Sequence, residues 1–314
     1  MASSDATAMP QTGPEPQAGG SHTFGPAALS PVRLFYWSVR RELWENRFLY
    51  VAPLIVAAVF LVGSAVGAVH VPVMPEATPR SPAAHMLATP LTLASFAIMA
   101  TYLVITVVYC LGALHNERSD RSILFWKSLP VSDVTTVIAK ASIPLIVLPL
   151  IAFAITVVTQ GLMLLMGSAA LLGRGVSGSA LWTQTALLPM WAALLYHLLS
   201  VHALYYAPLY GWLLLVSAWA RRAAFLWATL PVAAVLIVEK LVFNTSAFAN
   251  ILLSRLGGGP AAIPFPPPAS MPMEGPTLAN LAAFLASPGL WIGLAVFALF
   301  LAGAVRLRRY QGPF

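Results

Sequence analysis

Residues 91–140 read LTLASFAIMATYLVITVVYCLGALHNERSDRSILFWKSLPVSDVTTVIAK, an unbroken apolar run followed by a short, densely charged gap. Leu91 to Leu114 contains no charged residue, whereas His115 to Lys140 holds Glu117, Arg118, Asp120, Arg121, Lys127, Asp133 and Lys140. At about 1.5 Å of rise per residue, about 20 helical residues cross the roughly 30 Å hydrocarbon core of a bilayer, so the first part is long enough to span. The alternation continues in both directions. Five further apolar stretches run from Tyr50 to Val69, Ala141 to Met166, Leu188 to Ala218, Ala223 to Phe243 and Pro288 to Val305. With 59% hydrophobic and only 9% charged residues, the chain departs from soluble domains, in which about a quarter of residues are charged.

The cations assign the sides. Arg33, Arg40, Arg41 and Arg47 precede the first span, Arg118, Arg121, Lys127 and Lys140 fill the second gap, Arg221 and Arg222 the fourth, and Arg306, Arg308 and Arg309 follow the last span. The first, third and fifth gaps hold only Arg80, Arg174 and Arg255, with Lys240 near the outward end of the fifth span. Lys- and Arg-rich segments stay in the cytoplasm, so both termini are expected there, as for a multi-pass protein of a bacterial plasma membrane. The net charge of +7 then reports topology, and nucleic-acid binding is not expected. The predicted fold is an all-α membrane protein whose six transmembrane helices form one domain over residues 29–314. Residues 1–28, rich in Pro, Gly, Ala and Ser, lack the pattern of a cleavable signal and are expected to be a disordered cytoplasmic lead-in. Cys110, the lone cysteine, lies inside the second span and offers neither a disulfide framework nor a thiolate metal cluster.

Short helices flank the spans. In PVRLFYWSVRRELWENRF, residues 31–48, Pro31 suits a helix start. At 100° per residue Leu34, Trp37, Trp44 and Phe48 share one stripe and Phe35, Val39 and Leu43 another, with Ser38, Glu42 and Glu45 between them on one side. Trp and Arg at this density predict a helix at the cytoplasmic membrane interface, one stripe in lipid and one against protein. Between spans five and six, Ser246 to Leu256 and Leu278 to Leu285 are too short to cross and predict outer-leaflet helices on either side of a Pro-rich segment. Glu239 and Lys240, at the outer end of the fifth span, read as snorkelling side chains.

Polar residues inside the spans are the candidates for chemistry. Thr92, Ser95, Met99, Tyr102, Thr106 and Tyr109 repeat at spacings of three and four, which puts five hydroxyls and a thioether on one face of the second span. Lipid cannot satisfy hydroxyls, so this face must look into protein or a wet cavity. Interhelical packing, a translocation pathway and a dimer seam all meet that demand. In the fourth span His197, His202 and Tyr205 are candidate intramembrane polar groups. Five residues of α-helix turn through about 140°, so His197 and His202 are not expected to share a face as paired metal ligands would. Gly175-Val176-Ser177-Gly178 matches the short string of rhomboid proteases, but it sits in a small-residue linker and no metal or catalytic group is assigned from it.

The charged gap itself is more specific. Alternating Glu117, Arg118, Asp120 and Arg121 lead into four consecutive apolar residues, Ile123 to Trp126, and Ser132 or Asp133 can cap the next helix after a break at Leu129-Pro130. Four large apolar residues on the cytoplasmic side need burial in the interface or against another protein. From Glu117 to Lys140, the order of acidic and basic residues, Asp-Arg-Ser-Ile-Leu, Ser-Leu-Pro-Val-Ser and a following Lys resembles the cytoplasmic loop of permease subunits of type-2 ABC exporters. The resemblance implies a coupling helix between spans two and three that docks on a separate ATPase subunit through Glu117, Arg118, Asp120, Arg121, Ser122, Leu124, Phe125, Trp126 and Lys127. It also implies a second permease subunit, identical or not, with ATP and Mg bound by the ATPase and no cofactor bound by this chain. The only lysines, Lys127, Lys140 and Lys240, follow Trp, Ala and Glu, so no phosphate-binding Gly-Lys-Ser/Thr loop is present. An intramembrane enzyme and a non-transporting sensor or assembly factor are the alternatives.

Overall fold

The computed structural model describes residues 30–70, 82–128, 131–173, 175, 179, 182, 187–257 and 277–311, without the side chains of 68–70 and 82–88. The lead-in at 1–28, the Leu129-Pro130 break, most of the Gly-x-Ser-Gly string and the Pro-rich segment 258–276 lie outside the described residues. Among the described residues every regular element is helical, and six helices are long and apolar enough to cross a membrane.

Helix α1, Pro31–Glu45, starts where Ser30 accepts the amide of Arg33, with Pro31 at the first helical position, where a missing N–H costs nothing. Its inner side differs from the expected apolar stripe. Val39 and Leu43 pack on the main core, but Ser38 and Glu42 are buried beside them instead of forming a polar divide. After Asn46 and Arg47 the chain enters the first span, α2 (Phe48–His70), and then the second, α3 (Pro82–Gly112). Two short helices follow, α4 (His115–Ser119) and α5 (Ile123–Ser128). Between them Arg121 takes the left-handed conformation, φ 61°. Such a backbone is uncommon for a residue with a side chain and makes a sharp corner.

Helix α6 (Asp133–Ser142) is capped by Ser132, whose hydroxyl accepts the Thr135 amide at 3.1 Å. It runs through a π-helical turn, Ile143–Val147, into α7 (Leu148–Leu172) to make the third span. In that wider turn the Leu148 amide bonds the carbonyl of Ile143, five residues back. The next donor in this register would be residue 149, a proline with no N–H, so the Pro144 carbonyl is left free and accepts the Tyr102 hydroxyl at 3.1 Å.

The fourth apolar stretch is likewise not one regular helix. Helix α8 (Leu187–His197) passes into a π-helical segment, Leu198–Tyr205, breaks at Tyr206 and resumes as α9 (Ala207–Trp219). The fifth span is α10 (Ala224–Val238) with a π-helical turn, Glu239–Phe243. Glu239 does not simply reach for solvent: its carboxylate accepts the amide of Phe248 at 3.0 Å and the Thr245 hydroxyl at 3.2 Å, capping α11, Ala247–Leu256. Helix α12, Leu278–Ala286, is capped by Thr277 and leads into the sixth span, α13, Pro288–Tyr310.

Helix α13 packs along α9, while α2, α3 and α7 form a second packed group joined to them through α3 and α9. Gly211 lets α9 and α13 approach closely, because a Cβ there would stand 2.8 Å from the Phe297 ring. The main core combines Met99, Tyr102 and Tyr109 of α3 with Leu148, Leu198, Val201, Tyr210 and Leu290 from the third, fourth and sixth spans. One end of this bundle gathers α1, α4, α5, the start of α6 and the end of α13. The other carries α11 and α12, where Tyr206 donates to the Leu256 carbonyl and Arg255 to those of Tyr205 and Gly289.

Candidate functional site

Seven charged side chains meet at the first of these ends. Glu42 of α1 is only 1% exposed and accepts from Lys140 of α6 at 2.8 Å and from neighbouring Arg41 at 2.8 Å on one carboxylate oxygen, and from the Tyr109 hydroxyl at 3.0 Å on the other. Glu117 of α4 shares the same cations, lying 3.1 Å from Lys140 and 3.3 Å from Arg41, while its second oxygen accepts from Arg308 of α13. Arg308 also donates to Asp133 at 3.1 Å. With the more exposed Glu45 3.6 Å from Arg41, three cations face four carboxylates, and the network joins α1, α4, α6 and α13.

Burial opposes a charge on Glu42, but Lys140 and Arg41 outweigh it and hold its carboxyl below the ordinary carboxylate range. A buried ion pair returns its desolvation cost only when the remaining lone pairs are also satisfied. Here the Tyr109 phenol supplies that extra bond.

The network divides the residues that the exporter-like motif groups together. Glu117 and Arg118 point inward. Arg118 donates to the Ala218 carbonyl at the end of α9, and Ser217 accepts the amides of Leu114 and His115 at 2.9 Å each, fixing the entry to α4. These two side chains are thus structural ties and do not present a docking face. Asp120 accepts the Ser122 amide at 3.1 Å and shapes the corner at Arg121. Beyond it, Ile123 is buried and anchors α5, whereas Leu124 and Phe125 are 59% and 61% exposed. Trp126 is held from below by Arg41, whose guanidinium lies 3.9 Å from the centre of its ring, and Lys127 donates to the Arg309 carbonyl at 3.5 Å. Among the motif residues, the exposed apolar face therefore comprises Leu124 and Phe125, mounted directly on the ion network.

The hydroxyl stripe of the second span turns inward within its own chain. Ser95 meets the Gln160 amide at 2.5 Å, Tyr102 donates to Pro144, Tyr109 to Glu42, and Thr106 back to the Tyr102 carbonyl at 2.8 Å. Met99 is buried in the main core, and Thr92 donates to Thr89 at 2.9 Å near the span's far end. Of the readings open for this face, these contacts are packing within the chain: Ser95 and Tyr102 meet the third span, Tyr109 meets α1, and Thr106 bonds back to its own helix. Gln160, the lone amide of the third apolar stretch, was not singled out from the sequence. It is fully buried and links three spans, donating to Leu91 at 3.0 Å and accepting from Trp191 at 2.7 Å.

His197 and His202 also depart from expectation. The segment between them is π-helical, and its i to i+5 bonding places residues five apart above one another, so the imidazoles come within 5.2 Å of each other. Tyr102 and Tyr206 stand edge-on to His202 at 5.5 and 5.0 Å, and neither ring nitrogen of this buried histidine has a hydrogen-bond partner among the described residues. Tyr205 lies beneath Arg255, whose guanidinium is 4.3 Å from the ring centre. Among the described residues no cluster of three or more His, Cys, Asp or Glu side chains is placed to hold a metal. Compared with protein-family models, curated proteins and solved structures, the chain matches none.

Proposed function

We propose that this chain is the membrane-spanning permease subunit of an ATP-driven exporter of the type-2 ABC class. In this reading both termini lie in the cytoplasm of a bacterial cell, α5 is the coupling helix, and α11 and α12 cover the outer mouth. The observation that carries the proposal is the exposed Leu124–Phe125 face, which lies within the exporter-like motif and rests on charges joined to the spans. An isolated apolar face beside exposed Ser119, Asp120 and Arg121 calls for a partner.

ATP and Mg belong to a separate ATPase subunit, and two permeases enclose the pathway. As the ATPase subunits close, α5 is displaced. Trp126 passes that displacement to Arg41, and Glu117 passes it to Lys140 and Arg308, so α1, the third span and the sixth span are driven together. A network of shared ion pairs suits this role because its members exchange partners at little cost while remaining paired.

Purification from native membranes in mild detergent tests the reading. The expected result is co-purification of a P-loop ATPase subunit with Mg-dependent ATP hydrolysis that stays with the complex through size-exclusion chromatography. A chain that purifies without an ATP-hydrolysing subunit under conditions that preserve other exporters would contradict it.

A further inference from the structure

The side of α1 opposite Glu42 carries a second pattern that the exporter reading does not use. Arg33, Trp37, Arg40 and Trp44 follow spacings of four, three and four, so they form one stripe along the helix, and Arg47 continues it just beyond the helix end. Trp37 and Trp44 are 50% and 66% exposed, and the Arg40 guanidinium lies between them, 4.9 and 4.8 Å from their ring centres. Arg41 is engaged with Glu42, Glu45 and Glu117, but among the described residues no carboxylate pairs with Arg33, Arg40 or Arg47.

We infer that this stripe is a binding surface for anionic phospholipid headgroups. Only Asn46 and Arg47 separate α1 from the first span, which starts at Phe48, so the stripe is held at the edge of the hydrocarbon layer. Indole rings favour that depth. A guanidinium stacked between two of them keeps its N–H edge directed outward, where its planar fork matches two phosphate oxygens. Three arginines without carboxylate partners select lipids of net negative charge over zwitterionic ones, and each contributes roughly fivefold in affinity near such a surface. Binding rests on the membrane-spanning character of α2 and is independent of the exporter proposal.

The test uses the full chain in nanodiscs and reads quenching of its tryptophan fluorescence by dibrominated phosphatidylglycerol against an equal amount of dibrominated phosphatidylcholine. The parent should be quenched preferentially by the anionic lipid. In Arg33→Gln/Arg40→Gln that preference should fall at least tenfold while thermal unfolding stays unchanged, since both side chains lie on the outer side. Arg306→Gln/Arg309→Gln, which removes exposed cations from α13, should keep the parental preference. Equal loss in both double variants would mean diffuse attraction to basic surface and would overturn the assignment. So would a parent without preference, or quenching relieved by inorganic phosphate, which would indicate a site for soluble anions.

Discussion

Lys140→Met should lower the stability of the chain by about 3–5 kcal/mol, because it leaves Glu42 and Glu117 buried after removing the more deeply buried of the two cations they share. Thermal unfolding in detergent, followed by tryptophan fluorescence, reads the loss directly. Glu42→Gln alone should also destabilise, by orphaning the Lys140 ammonium. The double variant Glu42→Gln/Lys140→Met should be less damaged than the two single losses added together, because both buried charges then disappear. Strict additivity would mean that the pair does not act as a unit. Acid should resemble the single variants. The Glu42 carboxyl is held below its unfolded value, so its contribution is complete above the ordinary carboxylate range and is lost as pH falls through the depressed folded value.

The second large effect separates docking from folding. Leu124→Asp/Phe125→Asp should leave unfolding temperature and expression near those of the parent, because both side chains already face outward. It should abolish co-purification of the ATPase, since a carboxylate pressed into a docked apolar contact has no partner and costs several kcal/mol. Glu117→Lys is a poor substitute: it would set a fourth cation among Arg41, Lys140 and Arg308 and disrupt the fold itself. A double Asp variant that retains the ATPase would show that α5 is not the docking element.

The contrast between Glu117 and Phe125 shows where sequence reading stops. Span positions are legible because hydrocarbon excludes unpaired backbone, so length and composition suffice. The two short helices after the second span have too few residues for a periodic pattern, and Glu117 and Arg118 look as solvated as Asp120 and Arg121. Only the fold brings Lys140 and Arg308, distant in sequence, against Glu117, and the Ala218 carbonyl against Arg118. The three-four spacing of the hydroxyl stripe correctly groups Ser95, Tyr102, Thr106 and Tyr109 on one face, but spacing does not say which neighbour that face meets. Here the signal lay elsewhere, in Pro149, whose missing N–H frees the Pro144 carbonyl that Tyr102 takes, and in Gln160 as an isolated amide in an apolar run. The His197–His202 pairing was hidden by the assumption of a regular α-helix. Pro208, which cannot donate within the next turn, is the local hint of irregular backbone at Tyr206.

The most direct test of the coupling proposal is to place a photo-reactive benzophenone amino acid at position 125, with a second variant carrying it at the exposed Val242 as a control. After illumination of intact cells, the account predicts an adduct between position 125 and a P-loop ATPase subunit, and none with that subunit from position 242. Adducts of position 125 with lipid alone, or ATPase adducts from both positions alike, would contradict it.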